Sequence, residues 1–494
     1  MTDAQIIEEL RDEVAYLKHE LAQLKRLIFG SKSERFVGST SPEQLSLFEE
    51  ESHEEKVGDQ EREKISYERK KRKNHPGRNE IPEHLPVNEV IIEPEADTTG
   101  MVKIGEEITE TLEYRPSSLI KRRTIRPKYI DKKSQRIHIG ELPLRIIPKS
   151  IAEPSLLSYI LISKYMDHLP LHRQAKMFER DFGWKVSQST MVDWVRQCFQ
   201  QMEALYEALG KRVLKSSYIQ VDESPIKVLE YGTKGEVKGK SPPKKVMQGY
   251  QWVYYSPEER LVYFKYSKGR GMHDPWELLS EYEGYLQCDG YVLYDKIAME
   301  NRRIIQMGCL AHCRRYFDKA KDSDRRRSEY AMEIFRAVYE HERESKGMSM
   351  EERQWVRQEM ILPKLRRLKE WIEEESMKVL PKSPIGKAMN YYQNQWSKVE
   401  ESVKDARFEM DNNWIENEIR PLALGRKNYL FAGSHDGGKC AAMMYSFIGS
   451  CKRMGINPAI WIEETMEKLP GHPINRIEEL LPGYQGKEPG NGQV

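Results

Sequence analysis

Chemistry in this chain gathers on one short segment, Asp411-Asn-Asn-Trp-Ile-Glu-Asn-Glu-Ile-Arg-Pro421. Set on a helix at about 100° per residue, Asn412, Asn413, Glu416, Asn417 and Arg420 share one side, while Trp414, Ile415, Ile419 and Leu422 share the other. Glu416 therefore points away from the core. Glu418, two residues on, diverges from it by roughly 200° and falls on the inward side or its edge. Two earlier segments, Ile219-Gln-Val-Asp-Glu223 and Leu286-Gln-Cys-Asp-Gly290, repeat the pattern apolar, Gln, apolar, Asp. They read as short strands that deliver Asp222 and Asp289 on the Gln face. Taken alone, either aspartate is as well explained as a turn or edge residue. Three carboxylates from three distant elements suggest a metal site.

Those elements must bring the acids together. Tyr218 to Leu229 reads as a strand, Tyr250 to Tyr255 and Leu261 to Tyr266 as an antiparallel pair, and Asp274 to Tyr282 as a helix with Pro275 in its first turn. A strand ending at Asp289 and another from Ile304 to Met307 follow. Strand, hairpin, helix, strand, strand is the order of a ribonuclease H-like core, in which the first and fourth strands are neighbours. From Cys313 to about Arg407 the chain turns helical and charged, with Ser349-Met-Glu-Glu352 as a capping box. The reading is a core in two parts, 217–317 and 408–465, split by a helical insertion at 318–407, with 466–494 as a C-terminal tail.

Upstream, residues 1–37 carry a helix and a basic turn. Ile7, Leu10, Val14, Leu17, Leu21, Leu24 and Ile28 form an a/d seam between charged faces, favouring a self-associating coiled coil over a helix packed on its own domain. Residues 38–74 read as a charged flexible linker whose basic run, Arg69 to Lys73, is either a phosphate contact or a solvated face. Residues 75–150 form a small β-rich module made basic by Lys121, Arg122, Arg123, Arg126 and Lys128. It has no cysteine, and His75 and His84 alone are too few for structural zinc. Residues 151–216 are helical; the break at Phe182-Gly183 and the cap Ser187 suggest a helix-turn-helix presenting Gln188, Ser189 and Thr190 to bases, or a helical hairpin that only packs.

Composition sets the outer limits. With 494 residues there is room for several domains, and 38% hydrophobic residues suffice for a sizeable core. A net charge of +2 hides a charged fraction of 32%, so local patches matter more than the total. No apolar run approaches the roughly 18 residues of a membrane span, and the six cysteines show no paired framework. The expectation is a soluble, cytoplasmic protein with no membrane partner. Cys309, His312 and Cys313 have ligand-like spacing without an evident fourth ligand, which favours packing or DNA contact over zinc. Gly433, Gly437 and Gly438 before a helix read equally as a phosphate cradle or as a helix start without a ligand.

The motif Asp411-Asn-Asn-x-x-Glu-x-x-Ile-Arg-Pro-Leu-Ala-x-Gly-Arg-Lys-Asn-Tyr-Leu-Phe-Ala-Gly-Ser434, with Phe29-Gly-x-x-Ser-Glu-Arg35, Val221-Asp-Glu223 and Cys309-x-Ala-His312, resembles the transposase of the insertion sequence sixty-six family. The resemblance covers nearly the whole chain. It implies a multidomain α/β DDE transposase with Asp222, Asp289 and Glu416 as catalytic metal ligands, DNA ends and target DNA as partners, possible accessory proteins from the same element, and nucleoid association. Relatives carry paired cysteines of a zinc module where Glu95 to Gly100 and Tyr129 to Gln135 stand here, which implies a retained module without its metal. Cutting and joining DNA needs an activated attacking oxygen, a stabilised leaving oxygen and charge neutralisation at phosphorus, which two Mg²⁺ (or Mn²⁺) ions about 4 Å apart supply. Arg420, Arg426 and Lys427 would then hold DNA phosphates. The alternative is a DNA-binding regulator or architectural protein of the same descent that no longer cuts.

Overall fold

The computed structural model describes residues 118–119, 128–130, 137–139, 143–231 and 244–485. The expected coiled coil with its basic turn, the charged linker, most of the β-rich module with its lack of zinc, and the end of the tail lie outside the described residues. Of the module, a two-stranded antiparallel ribbon is described, β1 (Lys128–Ile130) and β2 (Ile137–Ile139).

Helix α1 (Pro154–Tyr165) opens with proline, whose missing N–H is no loss in a first turn. Helix α2 (Leu171–Phe182) stops at Gly183, whose φ of +64° suits a residue without Cβ. There the Gly183 N–H donates to Glu179 O (3.0 Å), the Trp184 N–H to Phe178 O (3.2 Å), and the Trp184 ring meets Phe178 at 5.3 Å. Ser187 then caps α3 (Gln188–Leu214) by accepting the Thr190 N–H at 3.1 Å. These three helices do not close a core of their own. The buried face of α3, from Met191 to Val213, joins the apolar cluster that covers the sheet. Gly210 permits that contact, since a Cβ there would lie 2.7 Å from Tyr263 Cζ.

The sheet follows: β3 (Tyr218–Tyr231), β4 (Lys244–Ser256), β5 (Leu261–Ser267), helix α4 (His273–Leu279), β6 (Gly284–Gln287), helix α5 (Val292–Glu300) and β7 (Ile304–Met307). Its order is β5-β4-β3-β6-β7, with β3, β4 and β5 antiparallel and β3, β6 and β7 parallel. The sequence reading passed from β6 to β7 without a helix. Parallel neighbours cannot be joined by a tight turn, and α5, with Leu293, Tyr294 and Ile297 buried, is the crossover.

Helices α6 (Leu310–Ala320), α7 (Arg325–Ser345), α8 (Met350–Val356), α9 (Leu362–Ser376) and α10 (Pro384–Lys404) surround a second apolar cluster that includes Phe317, Phe335, Leu365 and Tyr392. A π-helical turn, Arg357–Ile361, joins α8 to α9. Both bonds of the capping box at Ser349 and Glu352 form. Arg357 is fully buried and is answered by Glu342 and by the Asp405 carbonyl at 2.7 Å.

The chain then returns to the sheet as α11 (Asn413–Tyr429), α12 (His435–Arg453) and α13 (Pro458–Lys468). Helix α12 runs along β5, where the hydroxyls of Ser450 and Ser446 accept the N–H groups of Val262 (2.9 Å) and Phe264 (2.8 Å). A sheet edge that would otherwise template another strand is thereby covered. No described helix is long and apolar enough to cross a membrane.

Candidate active site

Register places the two aspartates. Gln220 on β3 pairs with Gln287 on β6, so Asp222 and Asp289 each stand two residues beyond a paired glutamine on neighbouring parallel strands. Asp222 is still within β3 and accepts the Glu223 N–H at 2.8 Å. Asp289 lies past the end of β6 and accepts the Tyr291 N–H at 3.0 Å ahead of α5.

The same two glutamines, both fully buried, fasten the third acid's helix to these strands. The Gln287 amide donates to the carbonyls of Glu409 (2.8 Å) and Gly308 (3.1 Å), and its oxygen accepts from Gln220 (2.9 Å) and from the Tyr218 hydroxyl. Gln220 donates to the Asp411 carbonyl (3.2 Å) and accepts the Ile415 N–H (3.3 Å), an otherwise orphaned donor of the first turn of α11. Asn412 donates from its side chain to Val221 O at 3.0 Å, and its N–H points to Cys309 Sγ at 3.2 Å. Asn412 is thus not on the exposed arc with Glu416. It is the residue before the helix, with φ −94° and ψ 20°, and it is fully buried because the helical phase begins only at Asn413.

Glu416, in the first turn of α11, faces α6: its carboxylate lies 3.4 Å from Arg315 Nη2 and 3.8 Å from His312 Nε2. Glu418 turns the other way and pairs with Arg453 at 2.6 Å, and the Arg453 guanidinium also donates to Trp414 O at 2.9 Å. Beside Asp222, Glu223 is held by Arg270 and by the Tyr294 hydroxyl at 3.0 Å, and the Arg270 guanidinium lies 3.9 Å over the Tyr291 ring.

Electrostatics bind the acids into one group. Burial, then the charges of Glu223, Asp289 and Glu416, hold the Asp222 carboxyl well above the usual carboxylate range. Burial lowers His312, against the pull of Glu416. Asp411 is pushed up to about 6 by burial. The acids outnumber the cations beside them, Arg315 at Glu416 and Arg270 at Glu223, and a hard divalent cation would supply the remaining positive charge, so these residues fit such an ion. The three carboxylates are spread wider than a single-ion cage. Among the described residues, the one set of three ligand atoms mutually within 4.8 Å is His273, Asp274 and Glu277 on α4, away from these acids in sequence.

The other expected contacts divide. Arg420 and Lys427 are exposed on α11, whereas Arg426 spends part of its guanidinium on the Pro225 carbonyl of β3. Gln188 and Ser189 are exposed at the start of α3; Thr190 is half-buried, with its hydroxyl 2.8 Å from Ser187 Oγ. Cys313 sits in the core of the helical insertion and Cys309 is buried beneath Asn412, so the Cys-x-x-His spacing turns the histidine alone toward Glu416. Ser434 caps α12 through the Gly437 N–H (3.1 Å), and Gly438 packs on Tyr266, where a Cβ would come within 2.7 Å. Sequence reasoning passed over Arg315 and Arg270. Arg315 lies one turn after His312, and that helical spacing was the available signal.

The comparisons follow the same outline. A family profile described as "Transposase IS66 family" matches residues 149–440, one described as "Transposase C of IS166 homeodomain" matches 16–90, and "IS66 C-terminal element" matches 446–482. Two relatives come from Sinorhizobium fredii (strain NBRC 101917 / NGR234). "Uncharacterized protein y4jD" is 30% identical over 97% of this chain and 96% of its own length, and "Uncharacterized protein y4qI" is 30% identical over 95% of this chain and 89% of its own.

Proposed function

Because this chain belongs to the IS66 family of transposases, we propose that it is a DDE transposase that binds the ends of its element, cuts them and transfers the strand by in-line attack on a phosphodiester. The observation that carries the reading is the fastening of the Glu416 helix, through Gln220, Gln287 and Asn412, onto the two strands that present Asp222 and Asp289. The strand order β5-β4-β3-β6-β7, with an antiparallel half and a parallel half, supports a ribonuclease H-like core.

Asp222, Asp289 and Glu416 would hold two Mg²⁺ or Mn²⁺ ions. When bound, the pair activates the attacking oxygen, stabilises the leaving oxygen and offsets charge at phosphorus. The remaining work falls to the chain. Arg315, beside Glu416, stands ready to balance phosphate charge, His312 offers a neutral imidazole at the same carboxylate, and Arg270 offsets the charge of Glu223 next to Asp222. Arg420 and Lys427 extend the positive surface along α11.

The deciding experiment is incubation of purified protein with labelled element ends and Mg²⁺. Nicked or joined product is expected; binding without any product would move the reading to a non-cutting regulator. Specific end recognition is assigned to the start of α3. Gln188→Ala with Thr190→Ala is expected to weaken binding to element ends by roughly tenfold while random DNA is bound nearly as before. Equal losses on both in a gel-shift titration would make the segment a phosphate contact or a packing element. Self-association is assigned to the heptad seam, so light scattering on protein lacking residues 1–30 should give a smaller species, and an unchanged mass would remove that assignment.

A further inference from the structure

The face of α6 that carries His312 and Arg315 also carries Tyr316, which the cutting chemistry leaves unused. Its ring stacks on Tyr391 of α10, with centroids 4.3 Å apart and planes 22° from parallel. Tyr316 nevertheless keeps 40% of its surface exposed. Other rings of this insertion, such as Phe317, Phe335 and Tyr392, are fully buried in its core, which accounts for them by packing alone. Tyr391 in turn sits against the residue that follows Asp289: a Cβ at Gly290 would lie 2.7 Å from Tyr391 Cε2 and 2.8 Å from its hydroxyl. The two rings therefore run from the Asp289 loop out to open surface. Arg315 and Lys319, both exposed, flank Tyr316 on the same helix.

Resting on the transposase reading, we propose that Tyr316, backed by Tyr391, is a stacking platform for one unpaired nucleobase of the DNA strand beside the cut, with Arg315 and Lys319 on the neighbouring phosphates. The chemistry selects this ligand. A flat ring with an accessible face, fixed from behind and bordered by cations, takes another π-face carrying negative charge on either side. A base within a duplex has both faces covered, so the platform takes one that has left the stack. The Gly290 contact sets its place next to Asp289. Gly290 has no side chain because the ring occupies that space.

The probe is a DNA duplex with an unpaired tail that carries 2-aminopurine at its first unpaired position. It is mixed with full-length protein in the absence of divalent metal, so no cutting occurs. Wild-type protein should quench the fluorescence by stacking, and Tyr316→Phe and Tyr316→Trp should retain the quench. Tyr316→Ala should abolish it and weaken binding of the tailed DNA by roughly tenfold, with fully paired duplex bound as by wild type. Its thermal midpoint should fall by no more than about a few degrees, as the ring packs on Tyr391 and otherwise meets solvent. Persistent quenching by Tyr316→Ala, or an equal loss of affinity for paired duplex, overturns the platform. The underlying reading fails separately. Protein that cuts element ends with Mg²⁺ but never quenches the probe keeps the transposase reading and loses the platform. Protein that quenches but never cuts does the reverse, and protein that does neither loses both.

Discussion

Glu416→Gln is expected to abolish cleavage and strand transfer while binding of element ends persists. The amide keeps the shape of the side chain and removes the charge that a divalent ion requires. Little of the fold rests on that charge, because α11 is fastened by main-chain groups of Asp411 and Ile415 and by the Asn412 side chain. The carboxylate's own contacts, at 3.4 Å to Arg315 and 3.8 Å to His312, are long and partly exposed. They contribute at most about 1 kcal/mol. The rate should fall on the order of a thousandfold or more, and Asp222→Asn and Asp289→Asn should do the same. Double variants should add little, since the three ligands act as a unit. Glu418→Gln is the contrast. It weakens a half-buried pair with Arg453 and is expected to cost stability, by about 1–3 kcal/mol, while cutting stays within a few fold. Labelled ends on a denaturing gel, with binding titrated separately, distinguish the two classes. Normal cutting by Glu416→Gln together with failure of Glu418→Gln would remove Glu416 from the site.

The difference between these two glutamates was legible in the sequence because it depends only on helical phase. So were the strands that bear the aspartates, whose alternation of apolar and polar residues is a local property. What escaped was set by distant partners. Helix α5 is short, and the need for it is visible only once β6 and β7 are known to be parallel. Asn412 lay on the polar arc of an ideal helix, yet the helix starts one residue later and the side chain is spent on Val221. The helix that begins after Ser187 was readable, whereas the packing of its buried face on the sheet was not. The glutamines were seen as part of a pattern. Their role as clamps needed the register of β3 against β6 and the return of the chain after the insertion of α6 to α10.

That clamp yields the second large expected effect. Gln287→Leu preserves volume and removes the amide, leaving the buried Gly308 carbonyl, the half-buried Glu409 carbonyl and the buried donors of Gln220 and Tyr218 without this partner. Each unsatisfied group costs about 1–3 kcal/mol, so a loss of roughly 3–5 kcal/mol in unfolding free energy is expected. The lost amide also held Glu409, and its oxygen held the Gln220 side chain that binds Asp411 and Ile415, so slack there moves Glu416 relative to Asp222 and Asp289. A displacement near 1 Å is enough to slow chemistry about a hundredfold. Cutting should therefore fall by that order even well below the variant's unfolding temperature, with end binding unchanged. Gln251 supplies the control. It is also fully buried in the sheet, but its amide donates to the Gly438 carbonyl of α12 (2.9 Å) and not to the glutamate helix. Gln251→Leu should lower the unfolding midpoint and leave the cutting rate of the folded protein near wild type. Should both variants cut alike once corrected for the folded fraction, Gln287 holds the fold together but does not position Glu416.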